Sequence, residues 1–285
     1  MTRLRCHAAW LLAFAAVLVA AAAPAPAHAQ AQVPAQAQAQ VPAQAQAPAR
    51  VALLIGNAAY ADAPLRNPLN DVREVAASLS ALGFAVTAHE NLKLPEMRLA
   101  LRQFVLGTRS AQFRLVYFAG HGLQLRGRSY LLPVGARIGS ETDVLERTAD
   151  ATELVEQLGA IEQGANVVII DACRVHPLFT AGSRRMWAAR PGLSALPAPN
   201  GTVVAFATRP GQVALDGGGA LSVYTRHLSQ ALRDAPALPV EAFFKRVRAG
   251  VAAETGQRQV PWESSDLNGD LCFRPDANGR CRHEP

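Results

Sequence analysis

Two apolar runs, each ending in a chemically reactive side chain, limit what this chain can fold into more than any other feature. Phe113-Arg114-Leu115-Val116-Tyr117-Phe118-Ala119-Gly120 leads into His121-Gly122, and Asn166-Val167-Val168-Ile169-Ile170 leads into Asp171-Ala172-Cys173-Arg174. Runs rich in Val, Ile, Tyr and Phe that stop at Gly or Asp read as buried strands of a parallel sheet. Neighbouring strands of such a sheet share one rim at their carboxyl ends, and ligands bind there. A His and a Cys delivered to that rim make a thiol nucleophile and its proton acceptor or donor. Each residue alone has a plainer explanation: a Cys ending a buried strand is commonly a small core residue, and a His between glycines commonly serves a turn. The same strand-to-loop switch occurring twice, 52 residues apart, favours the reactive pair.

Elsewhere strand and helix patterns alternate. Val51–Ile55 reads as a strand; apolar residues at 72, 75, 76, 79 and 82 predict a helix over Val72–Leu82, ended by Gly83. Phe84–Ala88 reads as a strand and Met97–Val105 as a helix, and Arg126-Gly127-Arg128 inside Leu123–Val134 signals a β-hairpin. A helix over Ala151–Ile161, a strand over Val203–Ala207 and helices over Ser222–Leu232 and Val240–Ala252 follow. Residues 174–200, rich in Arg, Pro, Gly and Ala, read as a long exposed loop. This alternation specifies an α/β fold with a mostly parallel sheet and helices on both faces. With 285 residues, half of them hydrophobic, the chain suffices for one sizeable core, and no internal repeat or second domain is visible.

The ends differ from this domain. Arg3 and Arg5 precede the apolar run Leu11 to Ala23, and Ala27-His28-Ala29 offers a cleavage site, which marks residues 1–29 as a secretory signal peptide. The run is short for a membrane span, so an uncleaved anchor is the alternative, and no span is expected after cleavage. Residues 30–49 repeat Ala-Gln and Val-Pro-Ala-Gln without charged or aromatic residues until the domain begins, as a disordered tether does. An exported protein, periplasmic or secreted, is expected. Cys6 would leave with the signal; Cys272 and Cys281 flank a Pro- and Asn-Gly-containing reversal, so a terminal disulfide with Cys173 as the free thiol is expected. The net charge of +6 does not imply nucleic acid, because there are two lysines, and the basic residues are scattered rather than interleaved with aromatics.

Six short segments then carry a resemblance: Val51-Ala52-Leu53-Leu54-Ile55-Gly56-Asn57, Asn67-Pro68-Leu69-Asn70-Asp71, Tyr117-Phe118-Ala119-Gly120-His121-Gly122, Asp171-Ala172-Cys173-Arg174, Thr208-Arg209-Pro210-Gly211 and Gln259-Val260-Pro261-Trp262-Glu263. Together, in this order over residues 50–273, they resemble the caspase-like domain of bacterial metacaspase-type cysteine peptidases; residues 274–285 would be a C-terminal tail. The resemblance implies the caspase–hemoglobinase fold with about six core strands, and catalysis by Cys173 with His121. The backbone amides of Gly122 and Cys173 would form an oxyanion hole, and Gly120 and Gly122 are expected to let the backbone turn sharply. It further implies that Asp71 and Asp171 line the primary specificity pocket and select Arg or Lys before the scissile bond. The plainer roles are helix capping for Asp71 and rim hydrogen bonding for Asp171. In place of the Asp-Asn-Pro that commonly follows Asp-Ala-Cys-Arg, this chain has Val175-His176-Pro177, which puts a second imidazole near Cys173. Cys272 stands where the family usually has an aromatic residue.

The expected function is therefore an exported cysteine endopeptidase acting on peptide or protein substrates; the alternative is a catalytically weak caspase-fold module that binds peptides or partner proteins. Self-cleavage after Arg184 or Arg185 is expected of a basic specificity, and less so after Arg190, which Pro191 follows. Calcium activates some metacaspases, but neither Glu141, Asp143, Glu146 and Asp150 nor Asp266 to Asp270 matches an EF-hand loop, so no metal or other cofactor is assigned. A Gly-x-Ser-x-Gly elbow and a phosphate loop are both absent, which disfavours a serine hydrolase and a nucleotide-binding protein. The oligomeric state is left open.

Overall fold

The computed structural model describes residues 49–173, 196–209, 214 and 218–283, with Cys173 described by its backbone alone. The expected signal peptide, nearly all of the tether, His176 and the three loop arginines lie outside these residues. Six strands form the main sheet: β1 (Arg50–Gly56), β2 (Ala85–Glu90), β3 (Phe113–Leu125), β6 (Ala165–Cys173), β7 (Thr202–Phe206) and β8 (Trp262–Ser265). Their order is β2-β1-β3-β6-β7-β8, with all pairings parallel except β7 with β8. The sheet is extended at β3 by the short antiparallel strands β4 (Arg128–Leu131) and β5 (Ala149–Asp150).

Period-two alternation divides the central strands between two apolar layers. Leu54, Leu115, Tyr117, Ile169 and Val203 face α1 (Pro68–Ala81), α5 (Val223–Asp234) and α6 (Val240–Glu254), sharing one cluster with Leu79, Leu228 and Phe243. Leu53, Val116, Phe118, Val168 and Val204 pack on the other side with Met97, Leu101 and Phe104 of α2 (Leu94–Gly107) and with Leu154 and Val155 of α4 (Ala151–Gly159). The central strands are thus buried on both faces, which is why they read as continuous apolar runs rather than alternating ones. The helix ends follow local chemistry. α1 starts with Pro68 in its first turn and ends in a Schellman motif, with Gly83 at φ +82° and Phe84 N–H donating to Leu79 O at 3.1 Å.

Three features depart from the sequence reading. α3 (Glu141–Arg147), a seven-residue helix capped by Ser140, occupies a stretch read only as scattered acids. Its carboxylates serve local structure: Asp143 accepts from Gly139 N and Ser140 Oγ, both at 2.9 Å, and Glu141 pairs with Arg126. Asp150 likewise caps α4 through Thr152 N and Glu153 N. β8 was not anticipated either, because its four residues carry one apolar side chain. The end of the 174–200 loop is not wholly exposed: Leu196 is buried against the α2/α4 layer.

At the amino-terminal end of the sheet, Arg114 is fully buried. It donates to Thr108 O and Arg109 O, both at 2.7 Å, just beyond the carboxyl end of α2, and to Asn166 Oδ1 of β6 at 3.3 Å. Asn166 in turn donates to Leu158 O of α4 and to Thr202 Oγ1 of β7. This polar knot ties two helices and three strands together at the end opposite the His- and Cys-bearing rim. At the carboxyl terminus, Cys272 and Cys281 form the expected disulfide, and the intervening Phe273 is buried against Phe113 and Phe243.

Candidate active site

His121 and Cys173 are direct register partners on β3 and β6. Adjacent strands lie about 4.8 Å apart, so the fold sets the two backbones side by side where the parallel pairing of β3 with β6 ends. Around His121 the chain does not turn, contrary to the sequence expectation. β3 runs straight through Gly120-His121-Gly122 to Leu125, and neither glycine has a positive φ. Gly120 is needed for space instead: a Cβ there would lie 2.7 Å from Tyr60 Oη and 2.8 Å from the Phe118 ring. The sharp reversal comes later, at Arg126 (φ +51°) and Gly127 (φ +79°), the left-handed pair that a tight hairpin requires.

The loop after β1 delivers the groups that hold the imidazole. Buried Asn57 anchors this loop by donating to Leu132 O at 3.0 Å and accepting from Leu92 N at 2.9 Å. Tyr60 then packs against His121 in a tilted ring contact, with centroids 4.4 Å apart. Its hydroxyl accepts from His121 N at 3.1 Å and donates to Leu132 O at 2.9 Å. His121 Nε2 lies 2.8 Å from Ala63 O. A carbonyl can only accept, so Nε2 carries the proton of that bond.

Ala119 O accepts from Asn57 N and His121 O from Leu132 N, both at 2.9 Å, so these residues turn their polar groups toward the β1/β4 edge of β3. Strand alternation therefore turns the N–H of Gly122 toward the β6 edge, beyond Cys173.

The two acids of the sequence reading are also brought together. Asp171 is the register partner of Ala119 and occupies the same phase of β6 as Cys173. Its Oδ2 accepts from Ser222 Oγ at 2.6 Å and from Thr225 Oγ1 at 3.1 Å, with Tyr117 Oη at 3.5 Å. Asp71 does not cap α1, where Asn67 holds the N-cap position; it sits in the first turn, and its Oδ1 accepts from Ser222 N at 2.9 Å. Both acids are buried, at 2% and 7% exposure for Asp71 and Asp171. Burial, then the charges of Asp171 and Asp71, hold the Tyr117 hydroxyl far above its ordinary pKa, so it stays a neutral donor beside the carboxylates. Among the described residues no cluster of three metal-ligating side chains occurs, and no helix is long and apolar enough to cross a membrane.

Tyr60, Ala63, Ser222 and Thr225 were missed by the sequence reading. Ala63 acts through its carbonyl and leaves no trace in residue type. Ser222 carried one signal, its position just before an apolar helical stripe, which marks an N-cap but says nothing of its carboxylate partners.

Comparison with known proteins agrees with this fold. A model of the caspase domain matches residues 49–272. Over 126 residues, 44% of this chain, the sequence is 36% identical to human mucosa-associated lymphoid tissue lymphoma translocation protein 1 and 35% identical to its mouse homolog. The match spans 15% of the length of those relatives. With the caspase-domain match covering most of the chain, a mostly parallel sheet between two helical layers, and a His and a Cys in register at its rim, the protein belongs to the caspase family of peptidase domains.

Proposed function

We propose that this protein is an exported cysteine endopeptidase that cleaves after arginine or lysine. The observation that carries the reading is the register pairing of His121 with Cys173, the last pair between β3 and β6. In this mechanism the Cys173 thiolate attacks the scissile carbonyl carbon, and the carbonyl π electrons move onto oxygen. The Gly122 and Cys173 amides receive that oxyanion, each donor being worth about 3–4 kcal/mol. The imidazolium of His121, oriented by Ala63 O and Tyr60, gives its Nδ1 proton to the leaving amine as the C–N bond breaks. Water then attacks the thioester, returns the proton to Nδ1 and releases the acid with Cys173 as thiolate.

Basic selectivity is supported by the two buried carboxylates, Asp71 and Asp171, that converge on α5 beside this rim. Export is supported by the charged start, apolar run and Ala-x-Ala site of residues 1–29.

The test is turnover of fluorogenic peptides ending in Arg, Lys, Leu or Asp by the purified protein with reductant, with calcium or a chelator in parallel. Cleavage after Arg and Lys is expected, lost by at least a thousandfold in Cys173→Ala and His121→Ala with the fold intact by circular dichroism. Full activity of Cys173→Ala would overturn the mechanism. Peptide binding without turnover under every condition would instead establish a binding module.

A further inference from the structure

Ser222 is the one described residue that bonds to both acids of the proposed pocket. Its backbone N–H donates to Asp71 Oδ1 at 2.9 Å, and its hydroxyl donates to Asp171 Oδ2 at 2.6 Å. The same hydroxyl oxygen accepts from Thr225 N at 3.0 Å, which makes Ser222 the N-cap of α5. Partners 151 and 51 residues away in the chain thus meet at one residue that is itself buried, at 5% exposure.

The chemistry of a hydroxyl makes this arrangement directional. It has one proton and two lone pairs; a lone pair takes the helix amide, so the proton goes to the carboxylate. Buried carboxylates favour their neutral form unless donors compensate for lost hydration. Among the donors that supply that compensation here are an N–H and an O–H of Ser222 and the Thr225 hydroxyl, at the positive end of α5. Such donors fix the rotation of a carboxylate. Ser222 also caps α5, so the donors to both acids are anchored at one helix start.

We propose that Ser222 is the positioning residue of the specificity pocket, clamping Asp71 and Asp171 in the arrangement that receives a substrate guanidinium or ammonium group. The inference rests on the reading that these two acids receive the basic side chain of the substrate. The competing role is helix capping alone, which Gly and Asp also perform well at this position.

The experiment compares full-length wild type with Ser222→Gly, Ser222→Asp and Ser222→Thr on two matched peptides, one ending in arginine and one in citrulline, its uncharged isostere. Ser222→Gly keeps an acceptable cap and removes the hydroxyl; Ser222→Asp keeps a strong cap and sets a like charge against Asp171. Both are expected to lower the arginine-over-citrulline ratio of kcat/KM at least thirtyfold, mainly through KM for the arginine peptide, with melting midpoints within a few degrees of wild type. Ser222→Thr, which retains the hydroxyl, is expected to stay within threefold of the wild-type ratio. Wild-type ratios in both the Gly and Asp variants would reduce Ser222 to a cap and overturn the proposal. If Ser222→Asp fails to fold, the Gly variant alone decides. A wild-type enzyme that does not discriminate arginine from citrulline would sink the pocket reading itself, an outcome visible before any variant is measured.

Discussion

At His121, one hydrogen bond decides which ring nitrogen the proposed mechanism uses. Because Nε2 is held by Ala63 O, the proposed mechanism routes its proton transfer through Nδ1, and anything that tilts the ring would disturb that transfer without touching the thiol. Two substitutions test this. Gly120→Ala places a methyl 2.7 Å from Tyr60 Oη, so Tyr60 and the imidazole packed against it must move. Turnover is expected to fall at least tenfold, with KM nearly constant. Tyr60→Phe keeps the ring contact but removes the hydroxyl that links His121 N to Leu132 O. It should cost about 1 kcal/mol in urea unfolding and lower kcat severalfold, while a loss confined to stability would confine Tyr60 to a structural role. The sequence named His121, Cys173, Asp71 and Asp171 because their residue types are chemically distinctive and stand at strand ends or helix starts. Tyr60 and Ser222 escaped it because an aromatic or a serine near a loop has many uses, and theirs follow from tertiary contacts.

Among the elements, the long apolar strands and striped helices were legible because burial on one or two faces imprints a period on the sequence. α3, β5 and β8 were not: each is short, and each owes its form to neighbours rather than to pattern. β8 exists because β7 offers it an edge, and α3 is closed by Ser140 and Asp143 over a small cluster with Leu125 and Tyr130. α5 carries a further prediction. The Tyr224 hydroxyl in its first turn is buried without a hydrogen-bond partner among the described residues. Tyr224→Phe is therefore expected to leave stability unchanged or raise it by about 1 kcal/mol. Burial, then the charge of Asp171, raises the pKa of Tyr224 well above its ordinary value. A raised folded pKa means that the unfolded chain ionises first, so this contribution to stability holds below about pH 10 and is lost as pH rises further. Urea titrations between pH 8 and pH 11 should show a shallower fall for the variant than for wild type, and parallel curves would contradict the assignment.

For the molecule as a whole, the disulfide closes a short loop around a residue of the main core. Closing about ten residues stabilises by roughly 2–3 kcal/mol in the chain-entropy view. Reductant should lower the unfolding free energy of wild type by that order and leave Cys281→Ala unaffected; an unchanged wild type would show the loop to be held by packing alone. Phe273 within that loop also meets Phe113, the first residue of β3, and the carbonyl of Cys272 accepts from Arg50, the first residue of β1. The earliest strand of the domain is thus finished by residues made more than two hundred positions later. A ribosome releases the chain from its amino end, so the layer that α1, α5 and α6 share with β1 and β3 stays open until the last segment has emerged. That layer is consequently closed only by contacts of high sequence separation, which join the first strand of the domain to its last segment.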